Sequence, residues 1–404
     1  MKGALLELAA RGEEDIPLLG NPKFSYFKGV YRSHTNFTKF EAKNVFQSGW
    51  GFGRKATCVI EKKGDLLTSS LLALKLPETG NPLVSWINGV GNFIIKKISF
   101  KIGGETISEM SGEFLDIFYK YYLPMGHYFN YSEMIRKIPG YREFSLTSEQ
   151  YVFVPLPFWF SKKTSQALPV INLGYHDLVI EIHFRDIEDC LYSTSDKSNL
   201  GSLVNLNNLQ IEDAYILNSF IYLDKIERQF FIEKKEINYI IEQVQEDEFN
   251  LSTGQTSRIL PIHFNQPVKE IIWTYRSKYF ENLNRWDKYS SFDTATSIEK
   301  KPLLTCELLF NGQERFTKLY SDYFRLVQPM VHHNSSSTNY IYFYSFALNP
   351  DDVLASGTCN FSKIDDARLN LTLPNYITDG TIRVYAVNYN ILKIKKGMGG
   401  ILYS

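Results

Sequence analysis

The sequence predicts an all-β protein of two consecutive strand-rich domains with a few short helices. Three observations carry this. Short apolar, β-branched runs recur along the chain and are closed by glycine or proline turns. Aromatic residues are abundant, 29 Phe and 26 Tyr in 404 residues, and flat rings suit a half-buried pleated surface. The strand texture fills two blocks of similar size on either side of a helical stretch near 224–235.

The elements follow in order. Residues 1–23 read as an arm with a short helix. Met1-Lys2-Gly3-Ala4-Leu5-Leu6 is apolar, but Glu7 interrupts it and Arg11-Gly12-Glu13-Glu14-Asp15 follows, which does not fit the uncharged centre of a secretory leader. In the first block, 24–222, residues 57–61 and 71–76 read as strands, with Pro77 closing the second. Residues 93–102 set Ile94, Ile98, Phe100 and Ile102 on one face and end at the Gly103-Gly104 turn. Residues 178–184 alternate with period two, as a half-buried strand does. Residues 111–119 read as a helix capped by Ser111, and 193–208 as a polar loop. The linker, 223–235, carries a helix with Asp224 as cap and Glu227 three residues on, the spacing of a capping box. In the second block, 236–404, residues 271–275, 340–346 and 381–387 read as strands and 319–326 as a helix. The polar, turn-rich segments 126–150, 193–208 and 278–300 are the expected sites of surface variation. Short strands and turns in two blocks point to two β-sandwiches, and a jelly roll is one way to close such a sandwich while limiting exposed edges.

Charge excludes some functions. Lys plus Arg and Asp plus Glu both total 44, and residues 1–222 alone hold 23 of each sign. Neither block has the basic surplus of a nucleic-acid binder. Zero net charge leaves little self-repulsion to oppose assembly. Cys58, Cys190, Cys306 and Cys359 lie far apart, without zinc spacing, and fit reduced thiols in a cytosolic setting. No run has the length of a membrane span. The six Asn-x-Ser/Thr sequons, Asn130-Tyr131-Ser132 among them, read as chance matches without a secretory route.

No motif argues for catalysis, a metal or a cofactor. Gly49-Trp50-Gly51-Phe52-Gly53 lacks P-loop spacing and reads as a flexible loop. His332-His333 in an extended segment would point opposite ways, so the two do not make one metal site. Asp351-Asp352 follows Asn349-Pro350 and reads as a turn; Asp365-Asp366 is a second carboxylate pair. Glu246-Asp247-Glu248 reads as a solvated strand end, and Lys393, Lys395 and Lys396 as a solvated strand face.

Specific strings go further than periodicity. Gly20-Asn21-Pro22, then Phe27, Tyr31-Arg32 and His34-Thr35-Asn36-Phe37, resembles the start of major capsid proteins of nucleocytoplasmic large DNA viruses, the group of iridoviruses and algal phycodnaviruses. Pro155-Leu156-Pro157-Phe158-Trp159 resembles the late part of that family's first domain, and Leu223-Asp224 with Glu227-Arg228 its linker. Ser356-Gly357, Asn360-Phe361-Ser362 and Asp365 resemble a second-domain signature. The tail Asn388-Tyr389-Asn390, then Gly397, Gly399 and Gly400, resembles the family's end. The strings keep the family's order from residue 19 onward. Departures are Ser33, where relatives often have a second basic residue, and Ala355, where they often have Pro.

The resemblance implies a double jelly roll that forms homotrimers with a near-hexagonal outline, tiling an icosahedral virion shell after assembly in the host cytoplasm. Its implied partners are copies of itself, neighbouring capsomers, minor capsid proteins and an inner viral membrane, with no enzyme activity and no sequence-specific nucleic-acid binding. Two other readings stand beside it: a minor capsid protein of the same fold, and a jelly-roll protein binding host surface glycans through exposed Trp50 or Trp286.

Overall fold

Strands of the first block pair across long stretches of chain. In the computed structural model, which describes residues 2–138, 147–193, 200–293, 296, 298–335 and 339–403, the main strands there are β1 (Phe37–Val45), β2 (Lys55–Val59), β3 (Leu66–Leu76) and β4 (Ile95–Ile102). They continue as β5 (Glu105–Ser111), β6 (Gln150–Leu156), β7 (Leu178–Phe184) and β8 (Asp213–Leu223). One antiparallel sheet runs β1-β8-β3-β6 and the other β2-β7-β4-β5. The second block supplies β9 (Glu236–Leu251), β10 (Ser257–Ile262), β11 (Pro267–Ser277) and β12 (Thr305–Phe310). It continues with β13 (Gln313–Tyr320), β14 (Ile341–Ser345), β15 (Ala367–Thr372) and β16 (Gly380–Lys395). Its sheets run β9-β16-β11-β14 and β10-β15-β12-β13. Adding eight to every strand number of the first sandwich reproduces the second. Eight strands in two facing sheets with this order are a jelly roll, and it occurs twice.

Burial explains the strand patterns. β7 alternates between buried and half-buried residues along its whole length, one face in the core and one toward solvent. β11 is buried on both faces from Val268 onward, which is why Ile271-Ile272-Trp273-Thr274-Tyr275 is nearly continuous in apolar and aromatic residues. One face of β11 and β16, with Ile271, Trp273, Tyr275 and Val384, looks into the second sandwich. The opposite face, with Ile272, Tyr385, Val387 and, on β14, Phe343, joins the core of the first sandwich. The contact runs through the helix Gly112–Tyr122: Phe114 meets Tyr385 at 5.5 Å between ring centroids, and Tyr121 meets Phe343 at 4.4 Å. Ser111 caps this helix, its Oγ accepting from Phe114 N at 3.3 Å, as expected.

Several expectations need correction. The linker helix, Lys225–Glu233, has Asp224 as cap, but Asp224 accepts from Lys225 N at 2.7 Å and Glu227 does not complete a capping box. The segment 319–326 is not one helix. β13 holds Leu319 and Tyr320, and a wide helical turn, Tyr323–Val327, then feeds the helix Gln328–His332. Phe93 ends a helical turn, Val90–Phe93, rather than starting a strand. The segment 126–150 is not simply a loop, since the helix Met125–Met134 occupies its start and buries Tyr131 and Ser132; residues 139–146 lie outside the described residues. Of 193–208, residues 194–199 lie outside the description, and a helical turn, Leu200–Leu203, buries Leu200. The segment 278–300 buries Phe280, Asn284, Trp286, Tyr289 and Ser290, so much of it is core rather than variable surface.

Residues Met1–Asn36 form a unit of their own. It holds the helix Lys2–Ala9, a turn at Glu13–Asp15 and the short helix Ile16–Leu19, none with a buried residue.

Candidate functional site

The residues that carry the family resemblance do different work along the chain. In the N-terminal unit Gly20, Asn21, Pro22, Phe27, Tyr31, Arg32, His34, Thr35 and Asn36 are exposed, and Phe37 opens β1 with its ring half in solvent. At the first turn it is Asn21, not Gly20, that takes the left-handed backbone, φ 50°. Gly20 instead lets the chain pass Ile16 O, which a Cβ would meet at 2.5 Å.

Pro155 lies on β6, while Pro157, Phe158 and Trp159 turn into the first core, where Phe100 packs against Phe158 at 5.2 Å and Trp159 at 5.4 Å. In the second sandwich Ser356 Oγ ties the loop by accepting from Asn349 N at 2.9 Å. Gly357, at φ 145°, lies where a Cβ would meet Phe346 O at 2.7 Å. Asn360 caps the turn Phe361–Lys363 through Ser362 N, Phe361 is core, and Ser362 Oγ accepts from Gln266 N at 2.8 Å. Asp365 is exposed.

Asn388, Tyr389 and Asn390 are buried on β16. Asn388 accepts from Gln245 Nε2 at 3.0 Å, and Asn390 donates to Gln243 Oε1 at 2.9 Å. The tail then folds back as the strand Met398–Ile401. It is held to the first sandwich: Tyr175 N donates to Gly397 O at 3.0 Å, and Gly399 N donates to His176 Nδ1 at 3.2 Å. Gly397, at φ 81°, has no room for a Cβ against the Tyr175 ring, and Gly400 packs beside Glu105.

The strongest chemistry lies at the seam between the sandwiches. Glu113, in the first turn of its helix and 2 % exposed, receives three arginines. Arg185 reaches Oε1 at 3.0 Å, Arg276 of β11 reaches Oε2 at 2.8 Å, and Arg383 of β16 reaches the same oxygen. The Trp286 ring lies beside two of the guanidiniums, 4.1 Å from Arg185 and 5.2 Å from Arg276. Trp286 Nε1 donates to Asp189 O at 2.8 Å, and Asn284 Nδ2 to Leu191 O at 2.7 Å, so the 278–290 segment grips the first sandwich. A second tie joins Lys162 of the first sandwich to Glu242 of β9, which also pairs with the fully buried Lys269 at 2.9 Å. Burial holds the Lys269 ammonium down to about 8.

The histidine pair splits. His332 ends a helix and bonds Leu348 O at 3.1 Å, while the fully buried His333 ring stands 3.2 Å from Glu270 and 2.8 Å from Asp351. Asp351 therefore does more than turn the chain, also accepting from Asn334 N at 2.7 Å. Burial alone would discharge His333, but the Glu270 carboxylate and the Asp351 hydrogen bond outweigh it and lift the imidazole to about 9. The sign follows. The stabilisation is fully present below the ordinary value of 6.5 and is lost as pH rises through about 9. The urea midpoint should fall more between about pH 7.5 and 10 for the wild-type chain than for His333→Gln. Equal falls in the two would remove His333 from the account.

Other expectations shift as well. Glu246 and Glu248 sit inside β9 rather than at its solvated end, and both approach Arg383 Nε, at 3.5 and 2.9 Å. Lys393 and Lys395 pair with Glu236 across the sheet at 2.9 and 3.1 Å, and Lys396 turns left-handed at φ 52°. Asp366 pairs with Arg368 at 2.8 Å. Trp50 is half-buried in the 49–53 loop, and Trp286 is buried, so Trp286 offers no exposed platform for a sugar. Among the described residues no group of three or more His, Cys, Asp or Glu is arranged to hold a metal ion. Sequence reasoning missed Glu113 and Glu270, and no local signal marks either: Glu113 looks like an ordinary first-turn acid.

Comparison with known proteins gives a consistent result. A family model described as "Major capsid protein N-terminus" matches residues 25–224, and one described as "Large eukaryotic DNA virus major capsid protein" matches 227–400. The major capsid protein of Pyramimonas orientalis virus is 34 % identical, with all of both chains covered. That of Paramecium bursaria Chlorella virus 1 is 28 % identical over the same full extent. The solved structure of VP54 from that Chlorella virus overlays with a TM-score of 0.81 at 25 % identity, covering 94 % of this chain and 100 % of the other. The Faustovirus major capsid protein overlays at 0.78 with 11 % identity, which speaks for the fold.

Proposed function

Because this chain belongs to the family of major capsid proteins of large eukaryotic DNA viruses, we propose that it closes into a trimer that serves as the repeating tile of an icosahedral shell. The observation that carries the reading is the eight-strand offset: one chain holds two jelly rolls of the same topology. Three such chains around an axis present six similar domains, so a threefold object can occupy a sixfold lattice position. The buried ionic ties and the shared aromatic face hold each pair of domains in one relation. A tile needs that rigidity, because an angular error within the subunit would be repeated across the lattice.

On this reading the chain is a structural protein of the virion without catalytic activity, its jelly rolls span 37–223 and 236–404, and it assembles in the host cytoplasm. Its partners are two further copies, neighbouring tiles, and the minor proteins and membrane beneath. The signature residues around Ser356–Asp365 and the glycines of the tail act by shaping loops and closing the seam, as their hydrogen bonds support.

Light scattering coupled to gel filtration, with negative-stain images of the peak, tests the assembly. The expected result is the mass of three chains and particles of hexagonal outline. A monomer at micromolar concentration would refute self-assembly from this chain alone.

A further inference from the structure

A polar cleft of about 570 Å³ opens where the two sandwiches meet. The helices Gly112–Tyr122 and Met125–Met134 with the turn after them form one side, and the segment after the helix Lys278–Asn282 forms the other. Four cationic side chains line it: Lys120, Lys137, Arg285 and Lys288. The Tyr128 and Ser132 side chains add hydroxyls to the wall. A volume of this size holds a small organic molecule.

Three of the cations are engaged. Lys137 pairs with the buried Asp116, Lys288 pairs with Glu299 at 2.6 Å, and Arg285 lies over the Tyr192 ring at 5.2 Å. Asp287, the one acid in the lining, accepts from Asn88 Nδ2 at 3.3 Å. Lys120 is different. Its ammonium makes no hydrogen bond and no ion pair with a described residue, and the side chain is half-buried on the cleft wall. Burial and the neighbouring Lys137 bring it down to about 7 against the pull of Asp116 and Asp287, with a smaller push from Lys288. An ammonium without an acceptor in a partly dehydrated cleft is unfavourable, and with Lys137 and Lys288 balanced by Asp116 and Glu299 the cleft keeps a net positive balance.

We propose that this cleft binds an oxyanion, phosphate or sulfate, carried by a small polar molecule, with Lys120 as the central contact. The tetrahedral anion supplies the acceptor that Lys120 lacks. Lys137, Arg285 and Lys288 add charge around it, and Tyr128 offers a hydroxyl donor, while the remaining volume takes the polar carrier. The lining residues all come from one chain.

Calorimetry on the purified full chain at low ionic strength tests this, with inorganic sulfate as the first probe because its charge is constant across the working pH range. Sulfate should bind saturably at pH 6, about tenfold more weakly at pH 8.5 as Lys120 discharges, and at least about tenfold more weakly to Lys120→Met. That variant replaces an unpaired ammonium by a side chain of similar length, so the fold should survive. Lys288→Gln, at the cleft and far from any core role, gives a second and smaller loss. Glucose 6-phosphate against inorganic phosphate separates the sources: tighter binding of the ester identifies a sugar-borne anion, and equal binding identifies the free ion. Sulfate heats no larger than those of chloride at matched ionic strength, or equal affinity in Lys120→Met, would overturn the proposal.

Discussion

Glu113→Gln is expected to destabilise the folded subunit by about 3–5 kcal/mol, the range for removing one partner of a buried ion pair. The reason is asymmetry. Glutamine keeps the shape and one carbonyl acceptor but removes the one carboxylate that, among the described residues, contacts Arg185, Arg276 and Arg383 together. Arg276 is 4 % exposed and Arg185 11 %, so neither can turn to solvent for compensation. Glu246 and Glu248 reach Arg383 and leave the other two guanidiniums unrelieved. Urea denaturation followed by tryptophan fluorescence reads the loss, with Trp286, against both of those arginines, as one of five contributing rings. The fluorescence and far-ultraviolet transitions should separate in the variant if the seam opens before the sheets melt. A loss below about 1 kcal/mol would show that the aromatic face alone holds the two sandwiches.

Phe158→Ala should cost a similar amount, about 3–5 kcal/mol, by a different route. Phe158 is fully buried and sits among Phe100 at 5.2 Å and Phe160 at 5.6 Å. The β-sandwich interior around it is fixed by backbone ladders on both sides, so the void left by a phenyl ring closes poorly. Phe158→Leu refills most of the volume and should recover the larger part of the loss. Thermal unfolding of the two variants compares them, and an alanine variant as stable as the leucine one would mean that the neighbouring rings collapse into the space.

The sequence made the strands easy to see because their burial is periodic. The alternation in 178–184 is the half-buried face of β7, and the unbroken run at 271–275 is the two-faced burial of β11. Pairing was not legible in the same way. β3 lies between β8 and β6, and its Ser70 bonds Asn218, 148 residues away, so nothing near Ser70 announces the neighbour. The jelly-roll order came from resemblance, and the strand ladders now show it directly. The displaced helix at 319–326 has a simple cause: Leu319 and Phe316 pack inward from a strand, and apolar spacing of three residues suits an irregular edge as well as a helix.

The ionic seam was the least legible part. Arg383 and Glu113 are 270 residues apart, and Arg185 and Glu113 are 72 apart. Each looks like an ordinary charged residue at its own position. The His332-His333 dipeptide illustrates the same limit. His332 ends a helix rather than lying in an extended segment, and the carboxylates that meet His333 come from β11 and from the turn after Pro350. Trp286 looked like a surface ring because its neighbours in sequence are polar, while its neighbours in space are the first sandwich.

The bonds from Tyr175 and His176 to the tail set a timetable for the growing polypeptide. His176 and Gly399 are separated by 223 residues. At ribosomal rates of roughly 5–20 residues per second, this edge of the first sandwich waits about ten seconds or more for its cover. Until Gly399 has emerged, the strands of the early domain can be paired while that margin stays bare. A prematurely ended product would keep it bare permanently, and would be distinguishable from finished subunits by that uncovered margin alone.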